Sequence, residues 1–379
     1  MANSVHGAAS DDNSGVADVQ PATTRAVDAV ILVGGRGTRL RPLTIGTPKP
    51  MLPTANHPFL QHLLARIKAA GITHVVMSTS FKAEIFEEYF GDGSDMGLEI
   101  EYVVEDTALG TGGGIRNVYD HLRHDTVMVF NGDILSGMDL GGILDTHHSK
   151  DADLTMHLLN VRDPRAFGCV PTDDDGRVLE FLEKTEDPPT NQINAGCYVF
   201  KKDLIATIPE NRVVSVERET FPGVLEDGYK VFGHVDNSYW RDMGRPDDFV
   251  RGSSDLVRGI AHSPLLEGKT GESLVDPSAG VAGGVLLLSG TSVGRGSEIG
   301  AGCRLDGTVI FDGVTIEPGA HIANSIIASG ARIGANAHIE DCVIGEGALI
   351  GARCELLNGM RIFPGVDIPD AGVRFSSDA

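Results

Sequence analysis

The hydrophobic positions between residues 28 and 250 follow two alternating patterns. Short, continuously apolar runs, typical of strands buried on both faces, predict strands over 28–33, 73–79, 98–105 and 126–133. Apolar residues at helical spacing predict helices over 58–70 and 83–90. Strands that alternate with helices favour a mostly parallel sheet covered on both sides, and ligands of such sheets bind beyond the carboxyl ends of the strands.

A different pattern begins near Ala279, where glycine becomes frequent and helical periodicity disappears. Aliphatic residues then recur every six positions, in runs that slip in phase: Val293, Ile299 and Leu305; Ile316 and Ile322; Ile333 and Ile339; and Ile344, Ile350, Leu356 and Ile362. A six-residue repeat is typical of a parallel β-helix, in which each coil buries its aliphatic side chains against its neighbours. Residues 280–366 would hold about five coils of about 18 residues.

These patterns divide the chain of 379 residues, whose length suggests roughly two to three domains. We predict a flexible extension over 1–26, an α/β domain over 27–254, a linker over 255–278, and a β-helix with a C-terminal tail over 279–379. The extension has neither the cationic start nor the apolar core of a signal peptide.

Composition and charge argue against some classes of binding partner and indicate a cellular location. The chain has 31 basic and 53 acidic residues, a formal net charge of -22, which argues against binding to nucleic acid or to anionic membranes. No apolar run approaches the roughly 18 residues that would span a membrane. The five cysteines are scattered without a C-x-x-C pair, which favours reduced thiols and a cytoplasmic location.

The glycine-rich segment GGRG directly follows the first predicted strand. Glycines allow backbone N–H groups to point inward at an anion, although ordinary tight turns are also rich in glycine. The Rossmann pattern fails because Leu40 stands where its third glycine belongs, and the Walker pattern is absent. Four nearby cations in an acidic protein favour a polyanionic ligand over an ordinary turn: Arg36, Arg39, Arg41 and Lys49.

Two aspartates are candidate metal ligands. Asp133 ends the apolar strand at 126–133, so it would lie on the same rim of the sheet as the glycine loop, and Asp242 lies beside the only tryptophan. Mg²⁺ prefers one or two carboxylates together with substrate phosphates. The structural alternatives are a turn or helix-capping aspartate at 133 and a hydrogen-bonded buried aspartate at 242. Glu183 and Lys184 could likewise be a surface ion pair of little energetic weight.

Taken together, these segments resemble one known family. GGRGTRLRPLT…PKPM, LGTGGG, NGD, FLEK, INAGCYVF and W-x-D-M-G-x-P all occur in this chain and closely resemble motifs of the sugar-phosphate nucleotidylyltransferases. The resemblance covers about residues 27–250, and the left-handed β-helix tail common in the family extends it to about 366. It implies a Rossmann-like α/β nucleotidyltransferase domain followed by a left-handed parallel β-helix of hexapeptide repeats.

The resemblance also implies a role for individual residues. Arg39 would contact the leaving phosphates and Lys49 the α-phosphate, while Asp133 and Asp242 would hold Mg²⁺. The nucleotide-binding residues would be Val33, Gly34, Gly35, Gly37, Thr38, Glu105 and Gly110. The sugar phosphate would be bound by Gly168, Glu183, Lys184 and Asn194.

Within the family, the segment VSVERETFP resembles members that transfer GMP from GTP to mannose 1-phosphate, which gives GDP-mannose and pyrophosphate. Thr185 departs from the family pattern, in which proline usually follows Glu-Lys, at a position next to the predicted sugar-phosphate residues. The alternatives are a thymidylyl- or uridylyltransferase acting on glucose 1-phosphate and a non-catalytic homologue that senses sugar nucleotides.

The β-helix raises further possibilities. His321 and His338 are the obvious candidate bases there for a second, acyltransferase activity, but a structural coil and assembly surface is the favoured interpretation. A non-enzymatic scaffold would leave the N-terminal motifs unexplained. We therefore expect a homo-oligomer that forms contacts through the β-helix.

Overall fold

The computed structural model describes residues 25–374, so residues 1–24 of the predicted extension and residues 375–379 of the predicted tail lie outside the described part. The strands before residue 250 are β1 (Val27–Leu32), β2 (Pro53–Thr54), β3 (His57–Pro58), β4 (His74–Thr79), β5 (Glu99–Val104), β6 (Thr126–Asn131), β7 (Ile134–Ser136), β8 (Leu154–Asn160), β9 (Gly168–Cys169), β10 (Leu182–Glu183), β11 (Gln192–Lys201), β12 (Val231–Val235) and β13 (Trp240–Asp242). The helices are α1 (Phe59–Ala69), α2 (Ala83–Phe90), α3 (Gly110–Asn117), α4 (Leu140–Ser149), α5 (Lys202–Ile205), α6 (Phe221–Glu226) and α7 (Pro246–Val257). The four predicted strands and two predicted helices are confirmed to within two residues at their ends.

The central sheet is parallel in its middle. Strands β6, β1, β4 and β5 are neighbours in that order and all run parallel. Strand β11 pairs antiparallel with β6, and β8 and β9 in turn pair antiparallel with β11. The strand order therefore reverses between β1 and β6, because β4 and β5 follow β1 on one side and β6 lies on the other. The carboxyl ends of β1 and β6 thus flank the crevice where ligands of such sheets bind.

Both faces of this sheet are buried, as its continuously apolar strands predict. Ala29 and Ile31 of β1 belong to one hydrophobic cluster, which includes residues of α1, α2 and α4. Val30 of β1 belongs to a second cluster on the opposite face, with residues of α3, α5 and α6. Side chains that alternate between two faces of a strand account for this division, since neither face is left to solvent.

Residues 273–368 form the predicted parallel β-helix. Its strands are β14 (Ser273–Val275), β15 (Gly280–Val281), β16 (Leu286–Leu288), β17 (Thr291–Val293), β18 (Glu298–Ile299), β19 (Arg304–Asp306), β20 (Val309–Ile310), β21 (Thr315–Ile316), β22 (His321–Ala323), β23 (Ile326–Ile327), β24 (Arg332–Ile333), β25 (His338–Glu340), β26 (Val343–Ile344), β27 (Leu349–Ile350), β28 (Glu355–Leu356), β29 (Arg361–Ile362) and β30 (Asp367–Ile368). They build three parallel sheets, which amount to five complete coils and a final coil with two strands. The aliphatic residues of the six-residue repeat fill the interior, which confirms the repeat prediction.

The two parts of the chain are in contact. Helix α7 ends at Val257 and the first coil begins at Ser273, so both lie inside the segment 255–278 that we predict as a linker. One cluster of buried residues includes Leu40 and Leu43 near the glycine loop, Phe249 of α7 and Val309 of the β-helix. The β-helix therefore packs directly beside the segment that carries the predicted catalytic residues.

A buried charge cluster lies at the opposite, amino end of the sheet. Asp28 of β1 is fully buried, and its carboxylate lies 2.7 Å from Nδ1 of both His74 and His124. Burial works to raise the pKa of Asp28, but the hydrogen bonds from these groups outweigh it and lower the pKa to about 2. Burial would lower the pKa of His74, but its hydrogen bonds to Asp28 and Glu101 raise it instead.

The Asp28 cluster predicts a pH-dependent stability. A lowered carboxyl pKa stabilises the folded state above the ordinary value of 3.8 and this effect is lost as the pH falls toward 2, whereas the raised pKa of His74 stabilises below 6.5 and this effect is lost at higher pH. We expect Asp28→Asn to lower the melting temperature by about 5 °C near pH 5 and by less at pH 3 and pH 8. Calorimetry with the exposed Asp95→Asn as control checks this, and a loss independent of pH would contradict it.

Candidate active site

The glycine loop crosses the carboxyl edge of the sheet directly after β1 and is held on both sides. The Ser80 hydroxyl donates a hydrogen bond to the Gly34 carbonyl at 2.8 Å, and the Thr44 hydroxyl donates one to the Gly37 carbonyl at 2.8 Å. Gly37 has a φ of 56°, in the left-handed region, and a Cβ there would lie 3.1 Å from the side chains of Thr44 and Lys49. Glycine therefore allows both the turn and the close approach of Lys49.

A cavity of about 480 Å³ opens beside this loop at the crevice between β1 and β6. Every predicted nucleotide-binding residue lines it: Val33, Gly34, Gly35, Gly37, Thr38, Glu105 and Gly110. Arg39, Lys49 and Asp133 line it too, and Asp242 lies at its edge next to the lining residue Gly244. The structure thus brings together the glycine loop, the two predicted catalytic cations and the two predicted metal ligands.

The two carboxylates meet because β7 and β13 form a short antiparallel pair. Asp242 lies opposite Ile134, the residue after Asp133, and the N–H of Met243 donates to the Asp133 carbonyl at 3.1 Å. The Lys49 ammonium, which is almost fully buried, lies 3.1 Å from Oδ2 of Asp133 and 3.6 Å from Oδ1 of Asp242. It therefore offsets part of the repulsion between the two carboxylates.

Asp242 lies in an environment that disfavours its charge. Burial raises the pKa of its carboxyl, and the neighbouring charge of Asp133 raises it further, while Lys49 and Arg39 act in the opposite direction. Its Oδ1 atom is buried and has no hydrogen-bond partner among the described residues. A buried carboxylate oxygen that accepts no hydrogen bond, beside a second carboxylate, fits a site for a cation.

The donor set suits Mg²⁺ better than a metal held by protein alone. Within residues 25–374 there is no group of three or more His, Cys, Asp or Glu side chains that could hold a metal ion. Two carboxylates beside a cavity lined by a glycine loop are what Mg²⁺ uses when substrate phosphates and water complete its coordination.

The start of helix α3 forms part of the wall of the cavity. The Glu105 carboxylate accepts hydrogen bonds from the Ser78 hydroxyl at 3.0 Å and from the Leu109 N–H at 2.9 Å. It thereby ties the residue that precedes α3 to strand β4. Gly110 has a φ of 75°, and a Cβ there would lie 2.6 Å from the Val214 carbonyl oxygen. A side chain at position 110 would therefore push apart the two segments that shape this wall.

The four residues predicted to bind the sugar phosphate do not line this cavity and lie on or directly after β9, β10 and β11. Gly168 of β9 pairs with Glu183 of β10, and the Lys184 ammonium lies 3.4 Å from the Glu183 carboxylate. The Asn194 amide donates to the buried hydroxyl of Tyr198 at 2.8 Å. Gly196, two residues after Asn194, packs closely against Asn131, which lines the cavity. A Cβ at position 196 would lie 2.9 Å from the Asn131 side chain.

Several lining residues were missed by the sequence analysis as site residues: Ser78, Ser80, Thr111, Asn131 and Gly132. Thr111, Asn131 and Gly132 belong to the motifs LGTGGG and NGD, so the family motifs carried a usable signal. Ser78 and Ser80 come at and just after the end of β4, which neighbours β1, so the convergence of parallel strand ends could have indicated them.

Comparison with known proteins agrees with this geometry. Residues 28–259 match the family model described as Nucleotidyl transferase. The chain belongs to the nucleotidyl transferase family. Residues 269–372 match a second model, described as GMPPB C-terminal domain, which covers the β-helix of this family member.

Individual relatives extend the match over most of the nucleotidyl transferase chain. It is 65% identical over 356 residues to a mannose-1-phosphate guanylyltransferase of Mycobacterium tuberculosis, which covers 94% of this chain and 99% of the relative. It is 33% identical over 264 residues to the catalytic subunit beta of mannose-1-phosphate guanylyltransferase from Drosophila pseudoobscura pseudoobscura, which covers 68% of this chain and 71% of the relative.

Solved structures resemble the α/β part. The crystal structure of HddC from Yersinia pseudotuberculosis matches 60% of this chain and 98% of its own, with a TM-score of 0.54 and 28% identity. A second HddC structure, in complex with GMP-PN, matches with a TM-score of 0.53. No helix within residues 25–374 combines the length and the apolar character that crossing a membrane requires.

Proposed function

We propose that this nucleotidyl transferase moves GMP from GTP to mannose 1-phosphate. A phosphate oxygen of mannose 1-phosphate attacks the α-phosphorus of GTP, the bond from the α-phosphorus to the bridging oxygen breaks, and pyrophosphate leaves with that oxygen. The observation that supports the proposal is the position of Lys49 between Asp133 and Asp242 in the lining of the glycine-loop cavity. The choice of GTP and mannose 1-phosphate rests on the 65% identity to a relative with that activity in its name.

The chain's own residues would hold and orient two anions. Such transfers need little covalent help, because catalysis consists of in-line positioning and of offsetting the negative charge. The backbone N–H groups of the glycine loop would receive the triphosphate, with Arg39 on the leaving phosphates and Lys49 on the α-phosphate. Asp133 and Asp242 would hold Mg²⁺, which when bound neutralises phosphate charge.

The sugar phosphate would bind on the side of β9, β10 and β11. Lys184 would contact its phosphate, while Gly168, Glu183 and Asn194 would read the sugar hydroxyls. A Cβ on Gly168 would lie 2.6 Å from the Phe181 ring and 3.0 Å from the Glu183 carboxylate, so glycine leaves the surroundings of Glu183 open. This supports a role for Glu183 as an acceptor for hydroxyl groups.

An initial-rate panel tests the substrates. GTP, ATP, UTP and dTTP are each paired with mannose 1-phosphate and with glucose 1-phosphate, with Mg²⁺ and with excess EDTA, and pyrophosphate release is measured. We expect the highest kcat/KM for GTP with mannose 1-phosphate and no release with EDTA. A preference for dTTP or UTP with glucose 1-phosphate would replace the proposed substrates, and no release from any pair would favour the sensing homologue.

We also propose a cytoplasmic location and a homo-oligomer that forms through the β-helix. All five cysteines are free and buried, which suits a reducing compartment. Leu286, Leu349 and Phe363 expose large apolar side chains on the β-helix, which supports assembly through this part of the chain.

A further inference from the structure

One face of the β-helix carries a regular ladder of side chains that points toward the α/β domain. Val309, Ile326 and Val343 lie in register on β20, β23 and β26, and all three are buried. They share a cluster with Leu40 and Leu43, which belong to the segment after the glycine loop. Three successive coils thus each contribute one aliphatic residue to the cluster that covers this segment.

The last coil breaks the ladder. The position in register with Val343 on β29 is Arg361, so an arginine follows the aliphatic residues that the three preceding coils have at this position. Its Nη1 atom donates to the carbonyl oxygens of Arg39 at 2.7 Å and of Arg41 at 2.8 Å. No carboxylate among the described residues forms an ion pair with Arg361, so its charge is directed at these two carbonyls.

The chain around Arg39 explains why this donor is needed. Residues Thr38–Leu40 form a single 3₁₀ turn, in which the carbonyl of one residue accepts from the N–H three residues later. For Arg39 that residue is Pro42, which has no N–H. Arg361 therefore supplies a hydrogen bond that the local backbone is unable to make, and it does so from a residue in the other domain.

We propose that Arg361 is a positioning residue for nucleotidyl transfer. By fixing the carbonyls on both sides of the buried Leu40, it holds the backbone from which the exposed Arg39 side chain reaches the cavity and lies 3.7 Å from Asp242. The last coil of the β-helix thereby completes the catalytic loop, in addition to any role in assembly. This inference rests on the proposed function, in which Arg39 contacts the leaving phosphates.

The test compares Arg361→Met with Arg332→Met. Arg332 is the matched control, because it is also exposed and begins a two-residue strand of the β-helix. It lies in another sheet and, within residues 25–374, its side chain forms no hydrogen bond or ion pair with the α/β domain. We expect Arg361→Met to lower kcat about tenfold, with KM for mannose 1-phosphate unchanged, because misplacing a phosphate-binding group weakens the transition state more than sugar binding. Arg332→Met should behave as the wild type.

Three further measurements separate positioning from stability. Amide hydrogen exchange of residues 38–43 should become faster in Arg361→Met and stay unchanged in Arg332→Met, while both variants keep the wild-type melting temperature. Arg361→Lys, which retains a charged donor, should restore part of the rate.

The outcomes distinguish this inference from the proposed function. Pyrophosphate release at the wild-type rate from Arg361→Met, or a loss of rate that follows a lower melting temperature and is not relieved in Arg361→Lys, would overturn the positioning role alone. A wild-type protein that releases no pyrophosphate would overturn the proposed function, and with it the role of Arg361 in transfer.

Discussion

Replacing Lys49 by methionine is expected to lower kcat for pyrophosphate release by roughly three orders of magnitude, with the fold retained. The ammonium is almost fully buried and lies between Asp133 and Asp242, in a residue that lines the cavity. A fixed charge in a water-poor site stabilises a phosphate transition state far more than an exposed lysine does, and the loss of one such group costs about 10²–10³-fold or more. Methionine keeps the length of the side chain and removes its charge.

The control for this variant is Lys68→Met. Lys68 lies on α1, and its ammonium donates to the Gly97 carbonyl at the surface. Both variants should show the far-UV circular dichroism of the wild type, and only Lys49→Met should lose turnover. Lys49→Met should also be stabilised by Mg²⁺ alone more than the wild type is, because Asp133 and Asp242 then lack their cation. Turnover within tenfold of the wild type would contradict the role of Lys49.

Asp242→Asn is expected to lower kcat by about three orders of magnitude without lowering the melting temperature. The raised pKa of Asp242 means that the folded protein disfavours its charged form, so the charge costs stability at neutral pH and stability rises as the pH falls through the raised pKa. Asparagine keeps the shape and removes the charge. An unchanged or higher melting temperature combined with lost activity would show that the carboxylate is retained for function.

Metal dependence provides a second readout for this variant. Isothermal titration with GTP should show tighter binding with Mg²⁺ in the wild type and a much smaller effect of Mg²⁺ in Asp242→Asn. The exposed Asp187→Asn serves as the control and should respond to Mg²⁺ like the wild type. Equal effects of Mg²⁺ in Asp242→Asn and the wild type would argue against a metal at this carboxylate.

Local periodicity accounts for the parts of the fold that the sequence predicts well. The strand at 28–33 and the six-residue repeat from Val293 are each encoded by residues close together in the chain, so their pattern alone reveals them. The antiparallel strands added by β8 and β11 were not predicted, because a buried apolar strand has the same pattern in either direction.

The candidate site divides in the same way. The glycine loop, Lys49, Asp133 and Asp242 belong to motifs that can be read from the sequence, and the structure brings them to one cavity. The contact of Arg361 with the Arg39 carbonyl joins residues 322 positions apart, and it depends on how the coils are seated against the α/β domain. No local pattern specifies that seating, and an arginine in an exposed coil resembles an ordinary surface residue.

Tracing two labels through the reaction tests the central claim most directly. GTP labelled at the α-phosphate and GTP labelled at the γ-phosphate are incubated separately with mannose 1-phosphate, Mg²⁺ and wild-type protein, with Lys49→Met in parallel. The account predicts that the α label appears in GDP-mannose and the γ label in pyrophosphate, and that both products are nearly absent with Lys49→Met. Release of the γ label as inorganic phosphate in the absence of a pyrophosphatase, with no α label on the sugar, would contradict it.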